Sequence, residues 1–159
     1  MLKKTHIIAS FTPAYVLTGN LEYGLLASIF GTISDLDTMI GLKHRTVTHS
    51  LAFAILAGIL AGYIKPAYGI IAFYGIMNHI ILDMLTKTGV QLYWPLKSKR
   101  VRIYQFSYDS VIPNFLIIML CLTALYIKAG KEVEKIALNP SIKELLNFFN
   151  LNFNLLLFS

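Results

Sequence analysis

The sequence predicts an all-α integral membrane protein, a helical bundle of four or five transmembrane helices with a metal site at one membrane face. Three observations carry that expectation. Hydrophobic residues make up 56% of the chain and charged residues only 14%, well to the apolar side of ordinary soluble domains. The apolar residues come in blocks rather than evenly spread. Within one block His79 and Asp83 stand four apart, a spacing that puts both on one helix face, roughly 5–6 Å between Cβ atoms. A carboxylate inside a membrane-grade helix costs about 2.5–3.5 kcal/mol on insertion scales. A chain that keeps such a group beside a histidine is expected to use the pair.

The 159 residues show no internal repeat or linker and read as one domain, 1–159. Lys3 and Lys4 give the start a signal-like charge. Pro13 and Tyr15 interrupt the apolar run and no small-x-small cleavage site follows, so the segment is expected to be retained. Residues 6–17 form a short apolar helix kinked or broken at Pro13. At about 1.5 Å per residue it falls short of a hydrocarbon core of about 30 Å, which suits a tilted, shallow or re-entrant element. Gly19-Asn20 is a turn signal. Residues 21–33 are a second apolar run, ending in Ser34-Asp35-Leu36-Asp37-Thr38 at the water interface, and residues 39–47 are a polar connector.

Residues 48–64 form the third segment, with Ala57, Gly58, Ala61 and Gly62 suited to close helix approach. Lys65-Pro66 is a tight turn, and residues 67–85 are the fourth segment, with Gly69 and Gly75 for close contacts. Residues 87–110 are the longest polar connector. It sets Lys97, Lys99, Arg100 and Arg102 beside Tyr93, Trp94, Tyr104, Phe106 and Tyr108, a composition of the headgroup layer. Residues 111–129 are the fifth segment, broken only by Pro113 and Asn114, and read as scaffold. In the tail, 141–159, Asn147, Asn150, Asn152 and Asn154 alternate with Leu and Phe. That pattern favours an interfacial helix over an edge strand.

The net charge of +6 lies in runs flanking the greasy segments, which points to anionic lipid heads or a phosphorylated substrate rather than nucleic acid. The single cysteine, Cys121, excludes an internal disulfide. By the positive-inside rule, Lys3, Lys4, Lys43, Arg45, Lys87, Lys97, Lys99, Arg100 and Arg102 mark the cytoplasmic side, with Lys128, Lys131, Lys135 and Lys143 as exceptions. All four histidines (His6, His44, His49, His79) and three of the four aspartates (Asp35, Asp37, Asp83) then meet at that face. Histidine with carboxylate is a ligand set for zinc or manganese, and the number present suits one metal or two. Asp35 and Asp37 can both reach one centre only if the helix ends there and the chain turns. Arg45 and His49 share a face if the third helix starts early, which would leave Arg45 to grip a phosphate oxygen. Each feature alone has a plainer explanation: a hydrogen-bonded helix fastener for His79–Asp83, a solvated helix end for Asp35–Asp37, interfacial lipid contacts for His44 and Arg45.

In order, Thr5-His6, Ser34–Asp37, the run H-R-T-V-T-H-S (residues 44–50) and the run H-I-I-L-D-M-L-T-K-T-G-V-Q-L-Y-W-P-L (residues 79–96) resemble the LexA-binding, inner-membrane-associated hydrolase family, predicted membrane-bound metal-dependent hydrolases. The resemblance is specific over residues 5–96 and looser beyond. One departure is that Ser34 and Ile33 precede the acidic pair, where the family often has proline. The resemblance implies a divalent metal, Zn2+ first with Mn2+ or Mg2+ as alternatives, one or two ions, bound by His6, Asp35 or Asp37, His49, His79 and Asp83. Asp37 or Asp83 would serve as base or orienter, and Arg45 with His44 would hold phosphate. The expected activity is hydrolysis of a phosphoester in a membrane lipid or related amphiphile, at the cytoplasmic side of the plasma (inner) membrane. The rival expectations are a small metal-ion or proton transporter and a membrane scaffold with a structural metal.

Overall fold

The computed structural model describes residues 1–38, 41, 44–96, 99–142 and 144, with the backbone alone at 38 and 137. The chain divides into two compact units, residues 1–122 and 123–159, with the boundary inside the helix Val111–Leu138. Among the described residues the named helices are α1 (Lys3–Thr18), α2 (Leu21–Ile33), α3 (Leu51–Ile64), α4 (Pro66–Met84) and α5 (Val111–Leu138), with a 3₁₀ turn at Ser34–Thr38. Among the described residues there is no strand, only isolated bridges pairing Thr86 with Phe106 and Val90 with Val101. The tail expected at 141–159 lies almost wholly outside the described residues, as do Lys43 and Lys97.

The helix limits follow local chemistry. Pro13 sits inside α1 without ending it. Its ring removes the donor that would meet the Ala9 carbonyl, and the Tyr74 hydroxyl of α4 donates to that carbonyl instead, at 3.4 Å. Gly19 closes α1 in the left-handed conformation, φ 67°, its N–H bonded to Tyr15. The Asn20 side chain caps α2 by accepting from the Glu22 N–H. The Ser50 hydroxyl caps α3 by accepting from Phe53 N–H. Pro66 opens α4 at a position where no N–H is needed.

Among the described residues two helices, α4 (19 residues) and residues Val111–Ile136 of α5, are long and apolar enough to cross a membrane. The sequence suggested four or five. The others have 16, 13 and 14 residues, which at 1.5 Å per residue gives about 20–24 Å against a core of about 30 Å. In the span within α4, half of the residues are buried; in that of α5 only 17% are. The central helix of the first unit is therefore α4, packed by α2 and α3 and, less extensively, by α1.

Small residues set that packing. A Cβ on Gly69 would stand 2.6 Å from the Gly58 carbonyl oxygen of α3, and one on Gly75 would stand 2.6 Å from the Ala27 carbonyl oxygen of α2. Ala27, Ala54 and Ala72 are fully buried at these seams. Such backbone-to-backbone approach is how membrane helices gain dispersion energy. Ile76, Ile80, Met84 and Val90 complete a core against Ala54. The connector after α4 folds back on the helix end: Val90 and Val101 exchange N–H···O=C bonds at 3.0 and 2.8 Å, and Ile103 N–H bonds the Met84 carbonyl at 2.8 Å.

Gly75→Ala is expected to lower stability by about 1–3 kcal/mol through overpacking against α2. Gly130→Ala, whose Cβ meets nothing within 4 Å, should stabilise α5 by roughly 0.5–1 kcal/mol. Thermal unfolding of both variants in detergent checks the pair.

Candidate metal centre

The first turn of α1, the turn after α2, the loop before α3 and the last turns of α4 meet at one end of the first unit. At their meeting point lie five side chains. His79 Nε2 is 3.1 Å from His49 Nε2, 3.6 Å from Asp35 Oδ1 and 3.8 Å from Asp83 Oδ2. His49 Nε2 is 3.5 Å from Asp83 Oδ2 and 4.0 Å from Asp35 Oδ1. His6 Nε2 is 3.3 Å from Asp83 Oδ1, and its ring stacks on that of His79 at 3.8 Å between centroids. His6, His49, His79 and Asp83 are almost wholly buried, while the Asp35 side chain retains 20% of its exposure.

The outer partners fix which nitrogens face inward. His79 Nδ1 lies 2.5 Å from the Gly31 carbonyl oxygen, which can only accept, so Nδ1 carries the hydrogen and Nε2 the lone pair. His49 Nδ1 lies 3.1 Å from Thr48 Oγ1 and 3.4 Å from Asp37 Oδ2. The Thr48 hydroxyl donates to Asp37 at 3.0 Å, so His49 Nδ1 is again the donor. Two lone pairs thus face each other 3.1 Å apart, with two carboxylates beside them. That is an unfavourable set of neighbours without a cation. The Met1 amino nitrogen already brings a positive charge there, 2.5 Å from Asp83 Oδ1 and 3.1 Å from His6 Nε2. Imidazole nitrogens oriented by carbonyl and carboxylate partners, with two carboxylate oxygens, fit a divalent cation of the zinc class. The donor atoms fall into two compact sets, His6, His79 and Asp83, and Asp35, His44 and His49.

The expected residues take different places around this centre. The α-helix ends before Asp35, and the 3₁₀ turn sends Asp35 and Asp37 to different positions. Asp35 faces His49 and His79. Asp37 is fully buried behind them, accepting from Arg45 N–H at 3.1 Å and from Thr48, and bonded to His44 Nδ1 at 2.8 Å. Burial alone would raise the Asp37 pKa, but hydrogen bonds from His44 and Thr48 outweigh it and hold the carboxyl below its usual range. Arg45 and His49 do not share a helix face, because α3 begins only at Leu51. Arg45 instead adopts a left-handed backbone, φ 65°, a conformation costing roughly 1–2 kcal/mol. Its carbonyl accepts from Gln91 N–H at 3.1 Å, Nε lies 3.2 Å from Asp83 Oδ2 and Nη1 donates to Thr86 at 2.6 Å. The guanidinium thereby neutralises Asp83 from the side opposite His6.

The centre opens on a cleft of about 660 Å³ lined by Lys3, Asp35, His44, Arg45, Asp83, Arg100 and Tyr108, among others. Three of these side chains are permanent cations, and His44, 39% exposed, stands at its wall.

The family described as YdjM inner membrane protein matches residues 1–149. The chain belongs to that family. No curated protein and no solved structure matches it. Family membership and the two apolar helices support membrane association.

Sequence reasoning missed Asn114. It is 2% exposed in α5, a segment that had read as scaffold. Its Oδ1 accepts from Thr5 Oγ1 at 2.7 Å and Leu2 N–H at 3.2 Å, and its Nδ2 donates to the Ser110 and Tyr108 carbonyls at 2.8 and 3.0 Å. It anchors the turn that carries His6. The signal available was the one that exposed Asp83: a costly polar group in an apolar span.

Asn114→Leu should strand the Thr5 hydroxyl and cost about 1–3 kcal/mol, read as a lower unfolding temperature in detergent. Asp37 gives a pH signature. Because its pKa is lower folded than unfolded, its contribution is complete above the ordinary carboxylate range and is lost as pH falls through the folded value. Unfolding temperature should therefore drop on acidification below about pH 4, and Asp37→Asn should flatten that part of the profile.

Proposed function

We propose that this chain is a membrane-bound, metal-dependent hydrolase that cleaves a phosphoester of a membrane lipid or related amphiphile. The observation that carries the reading is the pair of inward-facing imidazole nitrogens, His49 Nε2 and His79 Nε2, buried behind Asp35 and Asp83, two carboxylates that themselves line a cleft with Lys3, Arg45 and Arg100. His6, His49, His79, Asp35 and Asp83 would hold one or two divalent cations, Zn2+ first and Mn2+ or Mg2+ as alternatives. A cation so held lowers the pKa of water and offsets charge on the ester oxygens.

The remaining roles fall to the chain itself. Asp37, with both oxygens engaged by His44, Arg45 and Thr48, orients His49 and His44 rather than entering the donor set. His44, tied through Nδ1, keeps Nε2 to take a proton from attacking water and return it to the leaving alcohol oxygen as the P–O bond breaks. Lys3 and Arg100 line the cleft as cations for the phosphoryl oxygens, with Arg45 balancing Asp83. The basic residues at this end favour the cytoplasmic face of the inner membrane. Neither nucleic acid nor a second protein is needed by this reading.

The purified protein in detergent is expected to carry stoichiometric zinc or manganese, and to release p-nitrophenolate from a p-nitrophenyl phosphodiester in a reaction that a chelator stops and added metal restores. His79→Ala and Asp83→Ala should lose the metal. His44→Ala should lose about 10²-fold or more in kcat with the metal retained, whereas loss of metal in this variant would assign His44 to the donor set with Asp35 and His49 instead of to proton transfer. A parent without metal, or unchanged metal content in both ligand variants, overturns the reading. Metal flux in sealed vesicles without turnover would support a transporter instead.

A further inference from the structure

The cationic cleft has an apolar neighbour. A groove of about 340 Å³ runs along the end of α2 and the start of α1, lined by Lys3, Ile29, Thr32, Ile33, Asp35 and Leu36. Lys3 and Asp35 belong to both spaces. The groove therefore opens beside the carboxylate that stands 3.6 Å from His79 Nε2. Away from Lys3 and Asp35 its wall is apolar even at its one hydroxyl, because Thr32 Oγ1 donates back to the Ser28 and Ile29 carbonyls at 3.1 and 2.9 Å. Ile29 and Leu36 are 54% and 46% exposed, so apolar surface lies open directly beside charge.

We propose that this groove is the alkyl-chain subsite of the catalytic centre. The substrate would be an anionic amphiphile, its phosphoester in the cleft and one alkyl chain along Ile29, Ile33 and Leu36. This rests on the hydrolase reading and adds the substrate's shape to it. Two features select the occupant. The groove adjoins the cleft at Lys3 and Asp35, which line both spaces, so a cation is available where an anionic head would join its tail. A second apolar groove, about 370 Å³ between α2 and α3, is lined by Phe30, Phe53, Leu56 and Leu60 among others, and none of its lining residues also lines the cleft. It meets the subsite groove at Ile33 but has no residue on the head-group side, so Leu60, which lines only this second groove, serves as the control position.

The test uses the full chain in lipid nanodiscs with two diesters, methyl p-nitrophenyl phosphate and dodecyl p-nitrophenyl phosphate. The parent should prefer the dodecyl ester. The double variant Ile29→Trp/Leu36→Trp fills the groove from two exposed positions. It should lose about tenfold or more in kcat/KM on the dodecyl ester while staying within about twofold of the parent on the methyl ester. Leu60→Trp, in the control groove, should leave both rates unchanged. An equal fall on both esters, or a chain-length preference that survives the double variant, overturns the subsite. Independently of turnover, a dodecyl phosphate carrying a terminal diazirine should photolabel the segment 29–36 in the parent and not in the double variant. Equal labelling of the two proteins, or labelling centred on the Leu60 groove, overturns it as well. If neither ester is hydrolysed the hydrolase reading fails, and the photolabel still decides the groove.

Discussion

Asp83 is the group around which the first unit is built. Its carboxylate is almost wholly buried in a helix apolar enough to cross a membrane. An uncompensated charge there would cost several kcal/mol or more. Three of the four elements that meet at that end of the bundle contribute a partner. The start of α1 supplies His6 and the Met1 amine, the loop before α3 supplies Arg45 and His49, and α4 itself supplies His79 one turn earlier. A buried ion network is weak evidence for stability, since desolvation can match the Coulombic gain. Its retention in a bundle otherwise held by small apolar contacts argues that the chain keeps it for a use other than holding the fold.

The packing and the chemistry are linked through one face of α4. Gly75 and His79 are four apart on it. Without a Cβ at Gly75, α2 comes close enough that a Cβ there would lie 3.1 Å from Gly31 N. The same approach brings the Gly31 carbonyl oxygen to 2.5 Å from His79 Nδ1. Helix proximity therefore sets the tautomer of the central histidine, and with it the lone pair that faces His49. On the other side Thr48 Oγ1, itself donating to Asp37, does for His49 what the Gly31 carbonyl does for His79, and Asp37 also holds the strained Arg45 backbone through its N–H.

Much of this was legible in the sequence, for identifiable reasons. The helix limits at Leu21–Ile33 were readable because Gly19-Asn20 and the acidic turn bracket an unbroken apolar run. The meeting of His6, Asp35, His49, His79 and Asp83 followed from segment ends alternating across a bundle. What the sequence could not resolve was the division of labour between neighbours. Asp35 and Asp37 look equivalent in S-D-L-D, and only the 3₁₀ turn puts one toward the imidazoles and the other behind them. Arg45 reads as a free phosphate clamp, yet its left-handed backbone turns the guanidinium onto Asp83 and Thr86. Span count was overestimated because hydropathy does not say where a helix stops: α3 begins at its Ser50 cap, three residues into the apolar run, and ends at 14 residues.

The position of the centre bears on what it can do. Its donors come from the start of α1, the turn after α2, the loop before α3 and the end of α4. α3, from Leu51 to Ile64, has only the Tyr63 hydroxyl as a polar side-chain group, near the end away from His49. A conduction path needs charged groups stepping across the bilayer, whereas here the histidines and their carboxylate neighbours gather at one end, beside a cleft lined by Lys3 and Arg100 and an adjoining apolar groove. The short lengths of α1, α2 and α3 point the same way, since helices of about 20–24 Å suit a shallow site near the headgroups. A phosphoester held there could keep its alkyl chain in an apolar surrounding while its charged part met the donors. An arrangement of that kind favours chemistry on an amphiphile over passage of an ion.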